Sequence, residues 1–251
     1  MQVRADMHRP VHHNLYATSR GRPLQTTILN DVPLSSMYCR GGAKYPHLLQ
    51  EALTDLSRHP DPESCVVYFV GGLPSVTQKD EDSDWAGRRY EEVVFVEQED
   101  AAVSRVCNLI NQMDQEVRNK GATPCFSTII PMSIRVWNET RLAQGRTSML
   151  LHYHHYEDMQ HFLINTIRRV NAHIVNVNVI NQVATPHLCD TVATFEHGSP
   201  RIHYSRLTDG VHLKQEIANK CSGKLKKAMA FNAYVLGRAL GNDVKYGEIT
   251  Y

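Results

Sequence analysis

No stretch of this 251-residue chain holds the ~20 consecutive apolar residues that a membrane-spanning helix needs. The opening MQVRADMHRPVHH also lacks the apolar core of a secretory signal. The expectation is a soluble protein that makes no use of a membrane and stays inside the cell, cytoplasmic or nuclear. Cysteine is sparse and scattered over Cys39, Cys65, Cys107, Cys125, Cys189 and Cys221, without a CxxC pair. That argues against a disulfide framework or a zinc knuckle and favours buried free thiols. Internal repeats and low-complexity segments are missing too. With 42% hydrophobic and 21% charged residues, the composition is that of one ordinary globular domain with a substantial core.

Charge is nearly balanced at +1, but unevenly spread. Residues 79–100 carry nine acidic side chains against three basic ones and read as a solvated acidic loop. Residues 214–238 carry six basic side chains against one acidic. Lys220, Lys224, Lys226 and Lys227 fall in this run. It reads either as a solvated helix face or as a surface that meets the phosphates of RNA, or a protein partner.

Hydrophobic spacing divides the chain into alternating helices and buried strands. YPHLLQEALTDLSRH (45–59) and residues 99–119 repeat their apolar positions with helical spacing. So do residues 153–171 and 213–239, the last with a break or bend near Gly223. CVVYFVGG (65–72) and PCFSTIIP (124–131) are continuous apolar runs, as in strands buried on both faces of a parallel sheet. LQTTILN (24–30) is the candidate first strand and HIVNVNVIN (173–181) the last. Residues 1–23 read as a polar tail, 24–240 as the domain and 241–251 as a second tail. Alternation of this kind predicts parallel strands joined by right-handed crossovers, with the functional site beyond their carboxyl ends.

In SRLTDGVHLKQEI (205–217), Asp209 and His212 stand three residues apart at a loop-to-helix junction. A carboxylate there can fix an imidazole's tautomer and stabilise its cation, which is the orienting half of a Ser-His-Asp apparatus. The simpler reading is an N-cap aspartate and a surface histidine. The run His152-Tyr153-His154-His155, with Glu157, Asp158 and His161 after it, invites a metal reading. It has no HExxH-type spacing and reads better as a polar helix face. No metal and no cofactor is expected.

The chain from about 24 to 232 resembles the SGNH, or GDSL-type, hydrolase family, and is most similar to the SGNH-like domains of animal retrotransposon and other mobile-element or viral proteins. ILNDVPL, RGGAKYPHLLQEALTDLSRHP, VVYFVGGLPS, CFSTIIPMSIRVWN, TPHL and LTDGVHL carry the likeness, in that order. The resemblance implies a three-layer α/β/α flavodoxin-like fold with a parallel sheet of about five strands. It also implies carboxylic ester hydrolysis by a serine that ends a Gly-Asp-Ser block. Laid on this chain, Asn30-Asp31-Val32 takes that block's place, so that Asp31 matches and Val32 replaces the nucleophile. Gly41 or Gly42 supplies the oxyanion-hole glycine. Gly71-Gly72-Leu73-Pro74 takes the Gly-x-Asn-Asp place, so that Leu73 replaces the asparagine donor. Asp209 and His212 match the last block.

Valine cannot form an acyl-enzyme and leucine cannot donate to an oxyanion. On this alignment the expectation is a degenerate esterase acting as a binding module for RNA or protein. In that degeneracy it is similar to the OSK domain of the Oskar family, an analogy of fold and not of residues. The alternative is an active esterase or acetyl-hydrolase that uses Ser35 or Ser36 with His212 and Asp209. A third reading has His212 activating water directly. Trp137 is expected to line the cleft, with Arg135 beside it to meet an anionic ligand.

Overall fold

The computed structural model describes residues 9–18, 34–196 and 199–242. In chain order the strands are β1 (His12–Thr18), β2 (Leu34–Arg40), β3 (Cys65–Val70), β4 (Gln78–Ser83), β5 (Arg89–Val94), β6 (Thr123–Phe126), β7 (Ala193–Glu196) and β8 (Ser199–Ile202). The long helices are α1 (Tyr45–Leu56), α2 (Glu99–Asn119), α3 (Ile134–Ala143), α4 (Tyr156–Ile180) and α5 (Gln215–Ala239). Strands β2, β1, β3 and β6 form one parallel sheet in that spatial order. Helices cover both faces of this α/β sheet. Against an expected five strands, four pair among the described residues.

Side chains alternate between the two faces with the strand period of two. Tyr16, Val67, Phe69 and Phe126 point to a core shared with α1, α2 and α4. Leu15, Val66, Tyr68 and Cys125 point to a second core closed by α5 through Ile217, Cys221, Leu225 and Met229. Both faces of the central strands are therefore dry, which is why CVVYFV reads as an unbroken apolar run. Each of these large side chains, fully buried, contributes about 1.5–3 kcal/mol of transfer free energy. None of the six cysteines is in a disulfide, and Cys65, Cys125 and Cys221 are buried.

Three expectations need correction. The first concerns the amino-terminal segment. Residues 12–18, expected to be tail, form the strand between β2 and β3, while the candidate strand 24–30 lies outside the described residues. HHNLYAT has a short apolar stretch, and it is recruited by pairing on both sides, with Ala17 opposite both Cys39 and Val70.

The second concerns residues 173–181, expected as a strand, which continue α4. Val170, Ile174 and Val177 are buried at helical spacing, and the asparagines among them have a specific task. Asn178 accepts from Phe126 N–H at 3.0 Å and donates to Phe126 C=O at 2.7 Å. Asn171 does the same for Ile129, at 2.7 and 3.0 Å. Side-chain amides thus satisfy the backbone on the outer side of β6 and just beyond it, where a further strand would otherwise be needed.

The third concerns the acidic run, which is not simply a solvated loop. It folds into the antiparallel hairpin β4–β5, and it buries Glu91 and Glu92. Glu91 pairs with Arg141 and, at 2.9 Å, with Lys79. Glu92, with no exposed surface, accepts from Tyr156 Oη at 2.5 Å and from His152 N–H at 3.2 Å. Helix α5, for its part, runs unbroken through Gly223.

Replacing Asn178 with alanine leaves a buried N–H and C=O of β6 unpaired. Asn178→Ala is expected to lower the unfolding free energy by about 2–4 kcal/mol in urea denaturation. Asn219→Ala, which removes an exposed partner of Gln215, should stay within about 0.5 kcal/mol of the parent.

Candidate active site

The spatial order β2-β1-β3-β6 reverses the direction of chain progression between β1 and β3. At such a switch point the loops leaving neighbouring strands part, and a crevice opens beyond their carboxyl ends. The chain places its glycines there. Arg40 is followed by Gly41-Gly42, and Val70 by Gly71-Gly72. Gly71 (φ +120°) and Gly72 (φ +86°) both lie in the left-handed region, and added Cβ atoms would run into Thr18 and Tyr45 respectively. Only glycine lets this loop turn directly over the end of β1. It enters a one-turn helix, Leu73–Val76, with Leu73 buried.

A cleft of about 400 Å³ lies at this end of the sheet. Leu73, Pro74, Val93, Met132, Trp137 and Val211 form its apolar walls, and Gly42, Lys44 and His212 also line it. Gly41 stands in the preceding turn and does not border the cleft, so Gly42 is the glycine that faces it. Trp137 sits on α3 rather than at a strand end. Its ring meets His212 edge-on at 5.8 Å, and Arg141 lies over it. Arg135 is not in the cleft: it pairs with Glu157 at 3.0 Å and stacks over Tyr153.

Asp209 and His212 meet as their spacing suggested. Asp209 Oδ2 lies 2.7 Å from His212 Nδ1, and Oδ1 accepts from the N–H groups of His212 (2.8 Å) and Val211 (3.1 Å). Gly210, at φ +82°, presses this turn against Ser133 and Trp137, and its carbonyl accepts from Ser133 N–H at 2.8 Å. Burial pushes the Asp209 carboxyl up, but the His212 N–H and imidazole and the Val211 N–H outweigh it and hold its pKa below the ordinary 3.8. An ionised Asp209 assigns the Nδ1 proton, which leaves Nε2, unpartnered among the described residues, as the basic nitrogen.

The expected serines are elsewhere. Ser35 Oγ bonds His12 Nδ1 at 2.8 Å, and Ser36 Oγ bonds Tyr16 Oη at 2.9 Å and Asn14 at 3.2 Å. Both stand near the amino end of β2, Ser36 opposite Asn14. Ser36 stands four positions before Arg40 at the strand's carboxyl end, about 13 Å away at the rise of an extended strand. Strand pairing thus keeps both serines away from His212. Asn30, Asp31 and Val32 lie outside the described residues. Since the strand beside β3 is residues 12–18, the next residue along the chain from it is Ser19, not Val32. Ser19 itself lies outside the described residues. Its polar neighbourhood gives no strand signal in the sequence, so pattern alone assigns it to the tail.

The remaining candidates stay apart from the cleft. Lys220, Lys224 and Lys227 follow helical spacing along α5, and Lys224 lies 3.5 Å from Asp190. His152 Nε2 bonds Asp80 at 2.8 Å and His161 bonds Asn165 at 3.1 Å. Among the described residues no group of three or more His, Cys, Asp or Glu side chains is placed to hold a metal ion, and no helix is long and apolar enough to cross a membrane.

No protein-family model and no curated protein matches the chain. Solved structures do. A GDSL-like lipase from Bacteroides thetaiotaomicron superposes with a TM-score of 0.55 at 12% identity, over 87% of each chain. A member of the lipolytic G-D-S-L family from Veillonella parvula superposes with a TM-score of 0.52 at 8% identity, over 86% of this chain and 97% of its own. The fold is that of the GDSL/SGNH hydrolases.

Because its pKa is depressed on folding, Asp209 stabilises the folded protein fully above pH 3.8 and loses that contribution as pH falls through its lowered value. Asp209→Asn should therefore be less stable than the parent near neutrality. In thermal melts the gap should close as pH drops below about 4.

Proposed function

We propose that this chain is a carboxylic ester hydrolase of the SGNH type in which Ser19 is the nucleophile, His212 the general base and acid, and Asp209 the residue that orients it. One observation carries the reading: β1, the strand that pairs with β3, ends at Thr18, and Ser19 is the residue that follows it in the chain. That is the place along the chain where the family's pattern has its Asp-Ser. Thr18, buried against the Gly71 turn, stands for the aspartate.

These roles define the chemistry. The Ser19 hydroxyl attacks the ester carbonyl while His212 Nε2 takes its proton, and the imidazolium is stabilised by Asp209. The leaving alcohol then receives that proton, and water repeats the sequence on the acyl-serine. The apolar walls formed by Leu73, Val93, Met132 and Trp137 favour an ester with an apolar group. Leu73 offers no hydrogen bond to an oxyanion. Backbone N–H groups are left to stabilise it, with Gly42 at the cleft edge, and a slow enzyme is expected.

Leu73 also supports the competing reading of a non-catalytic binding module, with the lysines of α5 as its nucleic-acid face. The two readings part in one experiment. A fluorophosphonate probe should label the protein at Ser19, and labelling should vanish in Ser19→Ala and His212→Ala. Hydrolysis of p-nitrophenyl acetate should fall by at least about 10³-fold in either variant. An unlabelled, folded protein would leave the binding module. Leu73→Asn should raise kcat, by up to about 10²-fold, if it restores an oxyanion donor.

A further inference from the structure

The segment after β6 separates the cleft from a second cavity. Met132 lines the cleft, and Pro131 lines about 240 Å³ of open space between α4 and the chain leading through β7 and β8. Ile164, Ile167, Val175, Ala193 and Ile202 supply most of the other walls. Ile167 and Ala193 are themselves buried, so the cavity reaches core residues. Protein interiors are ordinarily filled to crystal density. An apolar cavity of roughly 150 Å³ is already enough to bind a benzene molecule.

The polar groups around this space fall into two sets. One set is committed to the fold. Thr128 Oγ1 accepts from Cys189 N–H at 2.9 Å, Asn171 is spent on Ile129, and Asp190 faces Lys224 at 3.5 Å. The other set is uncommitted. Arg168 lines the cavity and makes no hydrogen bond or ion pair with the described residues, whereas its neighbour Arg169 is held by Glu99 and Asp100. His187 lines the cavity and is likewise unpartnered among them. The space therefore combines apolar walls with a guanidinium that no described residue engages. A guanidinium presents paired donors that match the two oxygens of a carboxylate.

We propose that this cavity binds a medium-chain fatty acid, with its alkyl chain between α4 and the β7–β8 hairpin and its carboxylate on Arg168. The site does not depend on Ser19 being a nucleophile.

Calorimetric titration of octanoate into the full chain at neutral pH tests the assignment. One octanoate should bind per chain. Arg168→Glu, and separately Ala172→Phe, which fills the cavity mouth, should each weaken binding by about tenfold or more. Both positions are exposed, so neither substitution opens the core. His212→Ala should leave octanoate affinity unchanged. Octanol and methyl octanoate, which lack the charge, should bind about tenfold more weakly or worse, separating the free acid from an ester's acyl chain. Three results would each overturn the proposal: no saturable octanoate binding by the folded parent, affinity unmoved by both Arg168→Glu and Ala172→Phe, or loss of binding in His212→Ala, which would place the ligand in the cleft.

Discussion

Backbone pairing between β1 and β3, from His12 opposite Cys65 to Ala17 opposite Val70, is the constraint on which the rest of the arrangement depends. It places the end of β1 beneath the Gly71-Gly72 turn and creates the switch point at which a crevice must open. It also fixes which serines stand at which end of the sheet. A strand is stiff over its length, so a serine four residues back from the carboxyl end cannot reach chemistry taking place there. Ser35 and Ser36 are therefore tied to His12, Tyr16 and Asn14.

The walls of the cleft show how the fold accommodates polar groups at depth. Glu91 and Glu92 come from a strongly acidic stretch, yet they are buried because β5 packs against α3 and α4. Each is compensated differently. Glu91 is paired with Lys79 and Arg141 and, at 3.9 Å, with Arg89, while Glu92 is held by a tyrosine hydroxyl and a backbone N–H. Removing one partner would leave a desolvated carboxylate, the costly direction for any buried ion pair. Asn138, also buried, closes the same region by bonding Val93 through both its N–H and C=O at 2.9 Å. The hairpin is thereby a fixed wall and not a loose flap.

Asparagine recurs as a substitute for backbone. Asn171 and Asn178 serve β6 and its extension, and Asn138 serves β5. An amide side chain carries the same donor and acceptor as a peptide unit, so a helix that presents one can satisfy a strand's outer side without becoming a strand. This explains why α4 extends to Ile180 through a sequence rich in valine, isoleucine and asparagine. Strand propensity there yields to a helical face that both buries Ile174 and Val177 and satisfies the sheet.

Much was legible in the residues themselves. CVVYFV, the helices over 45–56 and 99–119, the glycine pairs and the spacing of Asp209 and His212 all depend on local pattern, and local pattern is written in the chain. By contrast, the choice between HHNLYAT and LQTTILN as the opening strand could not be made from propensity, because both are short and the contest is decided by partners distant in sequence. On that one choice rests the proposal of Ser19, in place of Val32, as the nucleophile. The sequence by itself determined the fold class and the carboxylate–imidazole pair, since these rest on periodicity and on groups three residues apart. Only the tertiary structure decided which strand lies beside β3, where Ser35 and Ser36 stand along β2, and that Arg168 borders an apolar cavity, since each depends on segments brought together across the sheet.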